Sequence, residues 1–424
     1  MLDLKAIRED PDAFRAGLAR RSEAHARDID RVLEADRERR SLTAAVEELR
    51  AEQNRVSKAV GSAAGDERDR LIASVRDVSD RLKQLEPRLA DAAEELGGLL
   101  ARLPNVPHGS VPVGESDEEN EVLREVGERP SFGFEPRDHV ELGERLRVID
   151  LERAAKVSGA RFAYLLGDAV LLQWALVRFC LDLLVAKGFV PVVPPVLVRE
   201  DAMFGTGFLP GDEAQIYVTR DDDLYLVGTS EVPLAALHQR EILDPADLPL
   251  RYVGYSTCFR REAGTYGKDV RGIFRVHQFD KVEMFSFVAP GASWDEHELM
   301  LAHQEEIVGA LGLPYRVVNV CTGELGASAA KKYDLEVWLP GQGRYRELTS
   351  TSNTTDYQAR RLECRVRLAE ENRPVHTLNG TACAVGRTLI AILENHQRED
   401  GSVAVPEVLH PYLPDRMRAL APRS

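Results

Sequence analysis

The chain has 424 residues, a net charge of −15 and 44% apolar residues. This length implies two or three domains with material for a large core, and the acidic total argues against a general nucleic-acid coating protein while leaving room for a local basic surface. The five cysteines (Cys180, Cys258, Cys321, Cys364 and Cys383) are odd in number and contain no CxxC pair, so neither a disulfide framework nor a cysteine zinc site is expected. The opening residues MLDLKAIRED carry charge from the third position and no apolar signal core. With free thiols, this fits the cytoplasm.

Residues 1–103 read as an N-terminal domain built on a hairpin over about 28–100. Val32, Ala35, Arg39, Leu42, Val46, Leu49, Gln53, Val56 and Val60 recur in alternating steps of three and four. After the Gly61-to-Gly65 break, Leu71, Val75, Val78, Leu82, Leu85, Leu89, Ala92, Leu96 and Leu99 continue the steps. Two such seams around one turn predict an antiparallel α-helical coiled coil. Helices of roughly 30 residues would make an arm about 45 Å long. Arg39 and Gln53 are polar seam positions suited to fixing register, and Pro87 should kink the second helix. Near the tip Arg50, Arg55, Lys58, Arg68, Arg70 and Arg76 outnumber Glu52, Asp66, Glu67 and Asp69. Such a locally positive end can hold a phosphate backbone. The plainer alternative is a dimerisation or packing element.

Residues 104–135 read as a linker, rich in Pro and Gly and then acidic. Residues 136–424 alternate helices with strand-like runs at 189–193, 224–227, 251–259, 273–287 and 315–320, which predicts an α+β domain with a mostly antiparallel sheet flanked by helices. The apolar run 170–185 is interrupted by Gln173, Arg178 and Asp182, so it is read as a buried helix and no membrane association is expected.

The common nucleotide and hydrolase signatures are absent: there is no GxxxxGK[ST], GxSxG or HExxH. The glycines of 205–211 do not match a dinucleotide fingerprint and read as a loop. Three stretches remain. The first is CFRREAG at 258–264, leading through a charged loop into 273–285, as two strands around a polar loop. The second is RELTSTSN at 346–353, where strand alternation puts Glu347 and Thr349 on one face. Oxygens of this kind suit Mg²⁺ held together with phosphates. The third passes from HTLNGTACAV into an apolar helix opened by Gly386 and Arg387, a placement suited to phosphate.

In this order the stretches resemble the three signature motifs of the class II aminoacyl-tRNA synthetases. Motif 1 corresponds to helix 168–188 and strand 189–195 ending at Pro195. GTSEVP at 228–233, FRREAGTYGK at 259–268, VHQFDKVE at 276–283 and HTLNG at 376–380 narrow the resemblance to the seryl-tRNA synthetase family, of the bacterial zinc-free type. That family carries an N-terminal hairpin that grips tRNA, so the resemblance spans nearly the whole chain. It implies an α+β class II catalytic domain behind a tRNA-binding arm. The implied activity is serine activation with ATP to seryl adenylate, followed by transfer to tRNA(Ser) and tRNA(Sec). It also implies a homodimer, and Mg²⁺ but no zinc. Carried over residue by residue, Arg260 and Arg387 are catalytic. Arg260, Arg261, Glu262, Val276, Phe279, Glu347, Leu348, Thr349, Ser350 and Arg387 bind ATP, with Glu347 and Ser350 as the Mg²⁺ ligands. Thr229, Ser230, Glu231, Arg260, Glu283, Asn379 and Thr381 bind serine. Arg50, Arg55, Lys58 and Arg76 contact tRNA. A paralogue making seryl adenylate for a non-tRNA acceptor is the alternative; it would be expected to lose the hairpin, whose seams are both intact here.

Overall fold

The computed structural model describes residues 1–264, 269, 271–369 and 371–422, which form two compact units, Leu2–Pro104 and the chain from Asn105 onward.

In the first unit, α1 (Leu4–Glu9) and α2 (Pro11–Ala19) precede two long helices, α3 (Glu23–Val60) and α4 (Asp66–Arg102). Asp3, Asp10 and Ser22 cap the first three, each side chain accepting a hydrogen bond from an otherwise unpaired first-turn N–H. The long helices have 38 and 37 residues, so each is about 56 Å long, exceeding the expected 45 Å because α3 begins as soon as Ser22 caps it. They pack as the seams predict, with Val46, Leu49, Val78 and Leu82 buried together. Gln53 Nε2 donates to Ser79 Oγ at 2.8 Å, a cross-helix bond that ties the register. Arg39 instead donates within its own helix to Asp36, which is fully buried and is also bonded by Arg40. Helix α4 runs through Pro87 without interruption.

The second unit is built on an eight-stranded sheet. Its strands are β1 (Glu121–Val126), β2 (Val190–Val192), β3 (Leu250–Phe259), β4 (Gln278–Val288), β5 (Tyr315–Asn319), β6 (Lys331–Leu339), β7 (Arg344–Thr355) and β8 (His376–Ala384). Their spatial order is β1-β5-β6-β7-β8-β4-β3-β2, antiparallel throughout except where β2 runs parallel to β3. Helices α5 (Asp168–Ala186), α6 (Glu200–Thr206), α7 (Glu231–Ala235), α8 (Ser293–Ala310), α9 (Tyr357–Leu362) and α10 (Val385–Asn395) flank it. The main core joins Leu172, Leu176 and Leu184 of α5, Met300 and Ile307 of α8 and Leu389 and Ile392 of α10 to Val282, Met284, Leu335 and Leu378 of the strands. Helix α5 is long and apolar enough to cross a membrane by length and composition, but it lays one face into this core.

Three expectations need correction. Residues from Asn105 are not a free linker: Asn105 Nδ2 donates to the carbonyls of Ser328 and Thr354, and 121–126 form the sheet's edge strand. All six residues of β1 are exposed, so its sequence EVLREV has no buried face to announce it; its charges suit an edge. The strand predicted from residue 273 begins at Gln278. Glycine-rich 205–211 starts inside α6, whose end is Gly207 in the left-handed region at φ 92°.

Candidate active site

A cleft of about 510 Å³ opens beside β4, β7 and β8. Strand alternation aims Phe279, Lys281 and Glu283 of β4 into it, while Val282 and Met284 go to the core. Neighbouring β8 contributes Asn379 and Thr381. On β7 the pairing Leu335↔Thr349 is followed by Glu336↔Glu347, which leaves Leu348 as an extra residue. This bulge breaks the strict alternation along β7, so Thr349 and Ser350 can line the cleft together with Glu347. Glu347 and Ser350, an odd number of residues apart, both line the cleft.

One end of the cleft is rich in carboxylates. Glu283, 1% exposed, accepts from Thr381 Oγ1 at 3.2 Å and is ion-paired with Lys281, whose Nζ also donates to Thr229 Oγ1 at 2.6 Å. Glu231 accepts from Gln358 Nε2 at 2.7 Å and Asn379 Nδ2 at 3.0 Å. Burial, then the nearby Glu283 charge, pushes the Glu231 carboxyl up to about 7. Gln358 itself is fully buried, with its amide also bonded to the Thr206 carbonyl and to the Thr377 hydroxyl.

The other end is rich in arginine. Arg260 Nε donates to the Gly228 carbonyl at 3.1 Å, and its guanidinium lies 5.3 Å over the Phe279 ring. Arg387 Nη1 donates to the Glu347 carbonyl at 3.0 Å and lies 3.3 Å from its carboxylate. Arg387 and Arg346 both lie over the ring of Phe274, at 4.7 and 3.9 Å. Burial pushes the Glu347 carboxyl up, but Arg387 and Lys332 outweigh it and hold the group at about 2. Its side chain is nonetheless 43% exposed to the cleft, so an ionised oxygen is presented at the surface. Glu262, at φ 50°, bonds Arg275 Nη1 at 3.0 Å.

Of the expected ATP and serine residues, the cleft brings together Thr229, Glu231, Arg260, Glu262, Val276, Phe279, Glu283, Glu347, Leu348, Thr349, Ser350, Asn379, Thr381 and Arg387. The side chains of two further expected residues, Ser230 and Arg261, do not line the cleft. Ser230 is fully buried, its hydroxyl sharing a 2.7 Å bond with Ser256, and it does not line the cleft. Arg261 follows the end of β3, is exposed, and lies 5.7 Å over Tyr217. Residues 265–268 of the motif 2 loop lie outside the described residues. The sequence reading gave no role to Lys281, Gln358 or Phe274. Alternation from Glu283 pointed to Lys281, whereas nothing local pointed to Gln358. On the arm, Arg55, Lys58 and Arg76 are exposed, and Arg50 is paired with Glu86 of the opposite helix at 2.7 Å. Among the described residues no group of three His, Cys, Asp or Glu is arranged to hold a metal ion.

Residues 1–107 match the seryl-tRNA synthetase N-terminal domain, and residues 216–396 match the class II tRNA synthetase core domain (G, H, P, S and T). A serine–tRNA ligase from Streptomyces coelicolor is 53% identical over 98% of both chains. The crystal structure of a seryl-tRNA synthetase from Pyrococcus horikoshii complexed with ATP matches with a TM-score of 0.93 and 44% identity over 100% of both chains. That of a cytoplasmic serine–tRNA ligase from Naegleria fowleri in complex with AMP matches with a TM-score of 0.89 and 34% identity, over 100% of this chain and 99% of that one. Arm, sheet and cleft therefore go together with full-length sequence identity, and the chain belongs to the seryl-tRNA synthetase family.

Proposed function

We propose that this cleft carries out both steps of the serine–tRNA ligase reaction, with serine at the carboxylate-rich end and the ATP phosphates at the arginine-rich end. The observation that carries the assignment is the continuity of the two ends. Thr229, Glu231, Glu283 and Thr381 adjoin Arg260, Arg387 and Glu347 in one cleft.

The chemistry follows from these groups. Serine's carboxylate is already ionised, so its oxygen attacks the α-phosphorus without a general base, and the bond to the β-phosphate breaks to release pyrophosphate. Alignment and neutralisation of spreading negative charge are then what the protein must supply. Arg260 would meet the α-phosphate and the serine carboxylate, and Arg387 the terminal phosphate. Phe279 offers a ring face for adenine, Val276 a backbone contact, and Glu262 an acceptor for the adenine amino group. Glu231 would receive the serine ammonium, whose positive charge favours the ionised form of a carboxyl poised near 7. In transfer, the ribose 3′-hydroxyl of tRNA attacks the seryl carbonyl and AMP leaves.

Mg²⁺ fits the same wall. Glu347 is kept ionised and Ser350 lies beside it, a hard-oxygen pair of the kind this ion shares with phosphates. Bound there, it would neutralise phosphate charge. Exposed Trp174 (51%) and Val193 (86%), with Pro191 and Tyr255 nearby, form an apolar surface on α5 and the segment after β2 that supports a homodimer. Arg55, Lys58 and Arg76, with Arg50, support docking of tRNA(Ser) and tRNA(Sec) on the arm. Pyrophosphate exchange measured with each of the twenty amino acids tests the assignment. Serine alone should drive strong exchange, and equal exchange with alanine or threonine would overturn it.

A further inference from the structure

Lys281 is 6% exposed and lies between two groups of the serine end. Its Nζ donates to Thr229 Oγ1 at 2.6 Å and pairs with Glu283 Oε2. Thr229 Oγ1 also accepts from the Glu231 backbone N–H at 3.1 Å. Both lone pairs of that hydroxyl are therefore used, and its proton is left to be donated. Glu283 Oε2 takes the ammonium and the Thr381 hydroxyl, while no protein donor reaches Oε1 among the described residues. An ionised carboxylate is acceptor-only, so Oε1 asks for a donor from the substrate.

We propose that Lys281 is a positioning residue that determines specificity: by clamping Glu283 as an ionised acceptor and Thr229 as a donor, it makes the pocket demand a side-chain hydroxyl. The inference rests on the serine pocket proposed above. Without the ammonium, Glu231 and Glu283 face each other with Arg260 as the remaining cation nearby, and Cys258 adds no charge in its thiol form. Glu283 Oε2 then loses its fixed partner, and the carboxylate is free to turn either oxygen to the Thr381 hydroxyl. A carboxylate that is no longer held with one oxygen aimed at the substrate penalises less a substrate that brings no hydroxyl. Lys281 touches neither reacting atom, so its effect falls on which amino acid is accepted.

Lys281→Met and, as a control on the pocket, Glu283→Gln are compared with wild type in pyrophosphate exchange with serine and with alanine. In Lys281→Met the serine-to-alanine ratio of kcat/KM should fall about tenfold or more, through a raised KM for serine, with the KM for ATP within about threefold of wild type. Equal losses for serine and alanine, or an unchanged ratio, would overturn the role of Lys281. If Glu283→Gln also left the ratio unchanged, the pocket itself would be wrong; if Glu283→Gln lowered it, the pocket would stand and the role of Lys281 alone would fall. Should Lys281→Met fail to fold because it strands a buried carboxylate, the double variant Lys281→Met/Glu283→Gln strands none. Its ratio should equal that of Glu283→Gln, and a further loss beyond about threefold would overturn the proposal.

Discussion

Arg260 and Arg387 enter the cleft from different elements; each is half-buried and steadied by a backbone carbonyl and one aromatic face. Removing either should therefore leave the fold alone and remove charge where phosphate charge develops. Arg260→Ala and Arg387→Ala should each lower serine-dependent exchange by about 10²-fold or more, with melting temperatures within a few degrees of wild type. Near-normal exchange in either would mean that ATP lies elsewhere. At this scale the sequence was informative where chemistry is written in residue type. Arg387 stood out as an arginine opening a helix beside glycines, whereas Arg260 and Glu283 were placed by the resemblance of FRREAG and VHQFDKVE to the family's motifs. The sequence did not distinguish Ser230, the residue just before α7, whose hydroxyl is buried against Ser256, from its cleft-lining neighbours Thr229 and Glu231. It was silent on Gln358, whose partners Thr206, Glu231 and Thr377 are distant in the chain.

Helix α8 carries a buried titratable group. His297 is fully buried, its Nε2 donates to the Thr351 carbonyl at 3.0 Å, and its ring stacks on Tyr333 at 4.8 Å. Burial pushes its pKa down to about 4. In the unfolded chain the group titrates near 6.5, so between about pH 6.5 and 4 the unfolded state binds a proton that the folded state refuses. Stability is then fully present above about 6.5 and is lost as pH falls toward 4, by about 3 kcal/mol from this residue. Burial lowers His303, His376 and His396 in the same direction. Melting curves from pH 7.5 to 4.5 should show a shallower acid decline for His297→Gln than for wild type. An identical slope would mean that His297 does not set it. Elements with a strong period were legible: both coiled-coil seams, and the positions of β3 and β5. Two features were not. Edge strand β1 buries nothing and so leaves no pattern, and the extra residue at Leu348 depends on the partner strand's register, which no stretch of β7 encodes alone.

The two compact units divide the labour: every proposed ATP and serine ligand lies in the second, and the arm lies wholly in the first. Replacing residues 30–99 with a short Gly/Ser linker should leave serine-dependent exchange largely intact and sharply weaken charging of tRNA(Ser). Equal loss of both would make the arm a folding or assembly element, and unchanged charging would show that it is no tRNA grip. The division was readable in the sequence from the change of hydrophobic period, although the boundary lies at Pro104 and the predicted linker belongs to the second unit. The Arg50–Glu86 pair has a consequence for how binding responds to salt. Glu86 serves Arg50 as a tethered counterion. When Arg50 turns to a phosphate, that counterion stays on the arm instead of diffusing away, so the exchange gains no mixing entropy from the protein side and leaves a carboxylate facing the polyanion. Glu86→Gln should therefore tighten tRNA binding at moderate salt, whereas Arg50→Gln should weaken it less than Arg55→Gln does. If titrations at several salt concentrations ranked Arg50 above Arg55, Glu86 would not be restraining it.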